Sequence, residues 1–241
     1  MANIYDEAVP VSRRTMVLFF VVDTSGSMLG KKIAELNRAV EEALPEVKDI
    51  SDSNPDAEIK IAVLQFSHGA KWLTAEPVEV AKYSWVDLKA EGYTDLGAAY
   101  RELNAKLSRK TGFMKDEGSG YMAPAILLMS DGVPTDEWQG PLNELRQNGW
   151  FKNAIKMAIA IGDDADKDVL KEFTGNSELV ITVHTAEALR KWIRFVSVTA
   201  SKIGSQSSGV GTTPGAPSSK QDDMVKQVEA AAIPDDAEDN F

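Results

Sequence analysis

The feature that most constrains this chain is an unbroken apolar run, Met16–Val22, that stops at Asp23. A strand with one wetted face alternates apolar and polar side chains. An uninterrupted run belongs to a strand buried on both faces. Two further runs behave alike: Ala123–Ser130 ends at Asp131, and Ile155–Ile161 ends at Gly162. Helical patterns separate them. Ile33, Leu36, Ala39, Val40, Ala43, Leu44 and Val47 recur at three and four within a helix read as Lys31–Val47; Leu96, Ala99, Tyr100, Leu103 and Leu107 do so within 92–110. The expectation is an α/β fold: a doubly wound, mostly parallel central sheet with helices on both faces. Sites in such sheets lie beyond the carboxyl ends of the strands, where Asp23, Asp131 and Gly162 fall.

The remaining segments fit this plan. Glu58–Phe66 reads as a second strand, Ala70–Thr74 as its hairpin partner, Val78–Val80 as a short extended piece and Leu179–Val183 as a last strand. Pro141–Asn148 reads as a helix stopped by Gly149, Asp166–Phe173 as a short helix and Ala186 to about Ile203 as the final one. From about Gly204 the composition becomes Gly, Ser, Thr and Pro, without a core-forming pattern. Residues 1–14 are therefore read as a lead-in, 15–203 as one domain, and 204–241 as a flexible linker with an acidic tail. Within the tail, Met224, Val225, Val228 and Ala232 could line a short helix on a partner, although the composition is that of a disordered, solubilising segment.

Composition narrows the chemistry. The formal net charge is -11, which repels a phosphate backbone and an anionic membrane surface and suits a cation or a basic partner. The longest apolar run is far short of the roughly 20 residues a membrane helix needs. With no cysteine and only His68 and His184, thiolate and multi-histidine sites are excluded. A metal here must be hard and held by oxygen. "SRRTMVLFF" has the look of an export signal, but Asp23 ends its apolar part early and no small-residue cleavage site follows. A cytoplasmic location is expected.

Three fragments bring oxygen to the carboxyl edge. Asp23, Ser25 and Ser27 place a carboxylate and two hydroxyls at alternate positions after the first strand. That is a partial shell for Mg²⁺, with Mn²⁺ or Ca²⁺ as alternatives; it could equally be a helix cap made by Ser27 or Thr24. Thr94 stands in "GYTDLG" just before a helix, where threonine ordinarily caps or turns. Asp95 beside it reads as a cap or a neighbour of the site. Asp131 ends the third apolar run in "LLMSDGVPTD", and Asp136 is assigned to that loop's own hydrogen bonding. Trp138 follows the same loop and, with Asp95, is a candidate for the rim of a ligand site.

Together, D-x-S-x-S at 23–27, Thr94 and Asp131 resemble the metal-ion-dependent adhesion site of von Willebrand factor A domains, over about residues 15–203. The resemblance implies a Rossmann-like sheet. It also implies direct coordination by Ser25 and Ser27, Asp23 and Asp131 acting directly or through water, and Thr94 doing either. A protein partner then donates an aspartate or glutamate to the ion. The stretches 130–138, 157–175 and 189–201 resemble the TerY-like, tellurium-resistance branch. That branch is bacterial, cytosolic and non-enzymatic, belongs to stress-response or phage-defence systems, and neighbours Ser/Thr kinases and PP2C-type phosphatases. The cysteine-bearing tail of some relatives has no counterpart here.

Two other functions compete. A metal-stabilised scaffold would use the same cage without a partner. A Mg²⁺-dependent phosphoryl-transfer enzyme would need D-x-D, but Ser25 stands where the second carboxylate belongs, and "DTSGS" is not a nucleophile elbow. The expectation is therefore not an enzyme. The acidic stretch "GDDAD" at 162–166 is either a second cation site or an acidic helix start.

Overall fold

The structure is a computed structural model and describes residues 13–115, 120–205, 219–231 and 233. Its centre is β1 (Arg14–Asp23), which pairs in parallel with β2 (Ala57–Ser67) on one side. Two short strands, β3 (Gly69–Trp72) and β4 (Val78–Glu79), pair antiparallel with the far edge of β2. On its other side β1 pairs in parallel with β5 (Ala125–Ser130), followed by β6 (Ile155–Ile161) and β7 (Val180–Val183). The order is β3-β2-β1-β5-β6-β7, with β4 beside β3 on β2. The winding reverses between β1 and β5, so Asp23 and Asp131 emerge side by side at the switch point.

Seven helices cover the sheet among the described residues: α1 (Lys31–Ser53), α2 (Leu96–Lys106), α3 (Gln139–Leu145), α4 (Gly149–Asn153), α5 (Lys167–Thr174), α6 (Ala186–Ser205) and α7 (Lys220–Ala230). The two faces of β1 explain its unbroken apolar run. Met16, Leu18, Phe20 and Val22 join a core with α1, α6 and α7, while Val17, Phe19 and Val21 join one with α2, α3 and α5. Each fully buried side chain of this size contributes about 1.5–3 kcal/mol, so β1 anchors both layers. No helix of the described residues is long and apolar enough to cross a membrane.

Three sequence readings change. Helix α1 does not end near Val47 but continues to Ser53 through Pro45. Proline forfeits one helical hydrogen bond there, and burial of Ala43, Leu44, Val47 and Ser51 outweighs that loss. Gly149 does not merely stop a helix. It opens α4, because Asn148 accepts from the backbone N–H of Trp150 at 2.9 Å and of Phe151 at 3.4 Å.

The third change concerns the tail. Residues 220–230, read as part of a flexible tail or a helix on a partner, form α7 on the domain's own surface. Ser219 and Asp222 close a capping box around its first turn. Met224 is fully buried and Val228 nearly so. Gln221 completes an unfinished sheet edge. β7 pairs with β6 only from Ala158 onward, and the Gln221 amide fills the place before it. Its Oε1 accepts from Lys156 N at 2.8 Å, and its Nε2 donates to Lys156 O at 2.9 Å. The other tail residues, 206–218, 232 and 234–241, lie outside the described residues, as does most of the 1–14 lead-in.

Candidate functional site

Asp23 is the last residue of β1 and is fully buried. Its Oδ1 accepts from Ser25 N at 2.8 Å, which turns the chain sharply, and its Oδ2 accepts from Ser130 Oγ at 2.5 Å. Thr24 does not cap a helix: its N–H and hydroxyl both donate to Phe66 O, at 2.8 and 3.1 Å. That bond locks the turn onto the end of β2. Ser27 lies in a single 3-10 turn, Gly26–Met28, and is exposed. Ser25 Oγ and Ser27 Oγ lie 2.9 Å apart, and Ser27 Oγ donates to Asp131 Oδ1 at 2.8 Å.

Thr94 arrives by a different route. The irregular segment after Tyr83 crosses α1, held by buried Asn37. That side chain donates to Leu88 O at 2.9 Å and accepts from Leu88 N at 2.9 Å and Trp85 Nε1 at 3.0 Å. The segment then runs beside the Asp23 turn, with Glu91 N donating to Thr24 O at 2.8 Å and Gly26 N to Gly92 O at 3.0 Å. The backbones come so close that a β-carbon on Gly26 would meet Gly92 O at 3.2 Å. Gly92 itself has φ +80, a conformation that favours glycine. Thr94 is then clamped by Thr135: Thr94 N donates to Thr135 Oγ1 at 3.0 Å and Thr135 N to Thr94 O at 2.9 Å.

These side chains converge. A β-carbon on Gly132 would lie 3.3 Å from Ser27 Oγ, 3.3 Å from Thr94 Oγ1 and 3.4 Å from Asp23 Oδ2. Oxygens from the turn after β1 and from the Thr94 segment thus face one small volume beside the Asp131 loop. Among the described residues no group of three His, Cys, Asp or Glu side chains is placed to hold a metal, so a cation here would rest on hydroxyls supported by two carboxylates. That donor set suits a hard ion and not a soft one. Burial pushes Asp23 up to about 6, against the hydrogen bonds from Ser130 and Ser25 and with the neighbouring Asp131 charge adding to the rise. A cation on these oxygens would favour the ionised form.

The structure brings Asp23, Ser25, Ser27, Thr94 and Asp131 together. The two rim candidates each have structural contacts of their own. Asp95 accepts from Gly69 N at 2.7 Å and Thr135 Oγ1 at 3.4 Å, tying the Thr94 loop to β3; its side chain makes no cap bond to α2. The cap comes from Asp136, which accepts from Gly97 N at 2.9 Å and Ala98 N at 3.0 Å instead of serving its own loop. Trp138 is half-buried against the α2–α3 core. The "GDDAD" stretch is divided among other partners. Asp163 contacts His184 Nε2 at 3.0 Å, Asp164 pairs with Lys32, and Asp166 caps α5. Sequence reasoning missed Ser130, Thr135 and Lys32. Ser130 alone had a visible signal, as a hydroxyl ending a buried strand beside Asp131.

The sequence profile of the von Willebrand factor type A domain matches residues 18–194. The chain belongs to that family. Two curated relatives are the inter-alpha-trypsin inhibitor heavy chains H2 of Sus scrofa and H6 of Homo sapiens. They are 25% identical over 194 residues and 26% identical over 161 residues. The H2 alignment spans 75% of this chain and 20% of the relative; the H6 alignment spans 64% and 12%. The chain therefore corresponds to a fraction of those proteins. Among solved structures, a von Willebrand factor type A protein from Catenulispora acidiphila superposes with a TM-score of 0.56 at 16% identity, covering 78% of this chain and 43% of that one. Proximal thread matrix protein 1 of the mussel byssus, solved with zinc in its metal-ion-dependent adhesion site, gives 0.56 at 18% identity, covering 77% and 48%. The type A fold is thus present here, with Asp23 at the end of its central strand and Ser25 and Ser27 directly after it.

Proposed function

We propose that this type A domain binds a protein partner through a divalent cation, to which the partner supplies an aspartate or glutamate. Ser25, Ser27 and Thr94 would hold the ion, with Asp23 and Asp131 acting directly or through water. The observation that carries the reading is the surface around the cage. Large hydrophobic side chains exposed among the described residues are Leu29, Val86, Tyr93 and Val133. Three of them sit on the three site loops: Leu29 two residues after Ser27, Tyr93 next to Thr94, and Val133 two after Asp131. Exposed apolar side chains gathered on all three loops of a polar centre suit a face that meets another protein. The chain carries a net charge of -11, so a cation is what lets an acidic partner approach.

Mg²⁺ is the ion proposed, with Mn²⁺ or Ca²⁺ as substitutes. The finer placement rests on the resemblance of 130–138, 157–175 and 189–201 to the TerY-like branch. It makes this a bacterial, cytoplasmic, non-enzymatic module of a stress-response, tellurite-resistance or phage-defence system, with a Ser/Thr kinase or PP2C-type phosphatase as candidate partner. A second reading, a metal-stabilised scaffold without metal-mediated partner binding, is favoured by the way Ser25, Ser27, Asp131 and Lys32 satisfy one another within the site. Phosphoryl transfer is disfavoured because Ser25 takes the place of a second carboxylate.

Thermal unfolding in EDTA, Mg²⁺, Mn²⁺ and Ca²⁺, on the wild type and Asp131→Ala, tests the site. An ion at 100 times its Kd adds about 2.7 kcal/mol, a rise of very roughly 5–10 °C for a chain of this size. The expected rise with Mg²⁺ or Mn²⁺ disappears in Asp131→Ala. Partner capture that survives both EDTA and Thr94→Ala would favour the scaffold.

A further inference from the structure

Lys32, in the first turn of α1, has a place in the site that its sequence position does not announce. Its Nζ contacts Asp131 Oδ2 at 2.5 Å and both oxygens of Asp164 at 2.9 Å. The other Asp131 oxygen, Oδ1, accepts from Ser27 Oγ. Asp131 is therefore shared, one oxygen facing the hydroxyl cage and the other a fixed ammonium. The Lys32 side chain is 15% exposed and the Asp131 side chain 0%, so this pair is shielded; the Asp164 side chain is 66% exposed, and solvent weakens its hold. The seat is shaped for the lysine. A β-carbon on Gly162 would meet Asp164 Oδ1 at 3.0 Å and Lys32 Cε at 3.5 Å, and Gly162 has φ +84. The loop after β6 thus comes close enough to hold the ammonium against Asp131.

The charges have a consequence. A divalent ion beside Asp23 and Asp131 would be neutralised by them, and a neutral centre attracts a partner's carboxylate poorly. The Lys32 charge, one carboxylate away and largely shielded, restores a positive balance. It also opposes the ion itself. We propose that Lys32 sets the cation affinity of this centre: held between Asp131 and Asp164, it weakens binding of the divalent ion and keeps the occupied centre positive toward an acidic partner. This rests on the metal-centre reading above and adds a determinant to it. Asp164 is the counterweight, since it draws part of the lysine's charge away from the cage.

The two ends of this bridge predict opposite effects, which a merely structural salt bridge does not. The probes are Mn²⁺ and Mg²⁺ alone, titrated calorimetrically into the full chain after chelator treatment and dialysis. Lys32→Met should bind either ion about tenfold more tightly than the wild type, or more, as loss of a shielded unit charge a few ångströms away requires. Asp164→Asn should bind several-fold more weakly. Lys32→Arg, which keeps the charge, should stay close to the wild type. Unfolding in EDTA verifies that each variant is folded; Asp164→Asn, changed at an exposed side chain, keeps the comparison open should Lys32→Met fail to fold. Equal or weaker binding by Lys32→Met, or a shift of both variants in the same direction, overturns the proposal while leaving the metal centre intact. No ion binding by the wild type overturns both readings.

Discussion

One contact that sequence patterning did not foresee, the Gln221 amide on the open edge of β6, makes a quantitative prediction. Replacing Gln221 with Met keeps the length and apolar stem of the side chain and removes every hydrogen bond of its head group. Lys156 N and Lys156 O then lose partners at 2.8 and 2.9 Å, and Thr174 O loses one at 3.2 Å. A backbone group left without a partner in a buried setting costs about 1–3 kcal/mol. Gln221 is half-buried, so water recovers part of this. The expected loss is about 2–4 kcal/mol, which for a chain of this length lowers Tm by roughly 5–15 °C. Urea unfolding gives the free energy, and amide exchange at Lys156 gives the location. Gln221→Glu should fall between, since it keeps an acceptor for Lys156 N and loses the donor. A loss under about 0.5 kcal/mol with unchanged exchange at Lys156 would refute the docking of α7 as the reason that edge is stable.

Other predictions follow from single features. Gly132→Ala should abolish the stabilisation by Mg²⁺ or Mn²⁺ in thermal unfolding while leaving the EDTA melting point nearly unchanged, because its new methyl group would stand 3.3–3.4 Å from three of the cage oxygens; an unaltered metal response would move the ion's seat away from Gly132. Tyr100 is fully buried, and its hydroxyl has no hydrogen-bond partner, so Tyr100→Phe should raise stability in urea by about 1 kcal/mol; a comparable loss would show that the hydroxyl is satisfied. Lys156 is 9% exposed, and burial lowers its amine from 10.5 to about 8. Between about pH 8 and 10.5 the unfolded chain therefore holds a proton that the folded one has released, and stability gained from this residue rises with pH across that window. The penalty is fully present below about pH 8. Relative to Lys156→Met, the wild type should gain up to about 3 kcal/mol between those limits; a flat difference would contradict the buried, depressed amine.

The separation between what was readable and what was not follows the range of the forces involved. Hydrophobic pattern is local, so the continuous apolar runs at Met16–Val22, Ala123–Ser130 and Ile155–Ile161 were enough to establish parallel strands buried on both faces. The residues at their ends located the reactive edge. Four of the oxygen-bearing side chains were likewise legible, because D-x-S-x-S follows its strand directly and Asp131 ends another; Thr94 stood out only through the family resemblance. Electrostatic and hydrogen-bonding partners carry no such period. Lys32 reaches Asp131 across 99 positions and Asp164 across 132, Asp136 caps a helix 39 positions away through Gly97 N, and Gln221 completes a strand 65 positions back. Each is an ordinary polar residue until folding sets it beside its partner.

The tail shows the same limit from the other side. Its linker is poor in apolar residues, and a compositional reading extends that character to everything after Gly204. The docking of α7 depends on Met224 finding a fully buried seat and on β7 pairing only from Ala158, a vacancy that exists only once the sheet is assembled. The sequence by itself therefore determined the α/β sheet, its switch point and the oxygen-rich cage, because these follow from side-chain periodicity and from what stands at a strand's end. Only the tertiary structure decided that a lysine is held against the cage and that the chain's last described helix closes the sheet, because both depend on distances between segments that the order of residues leaves free.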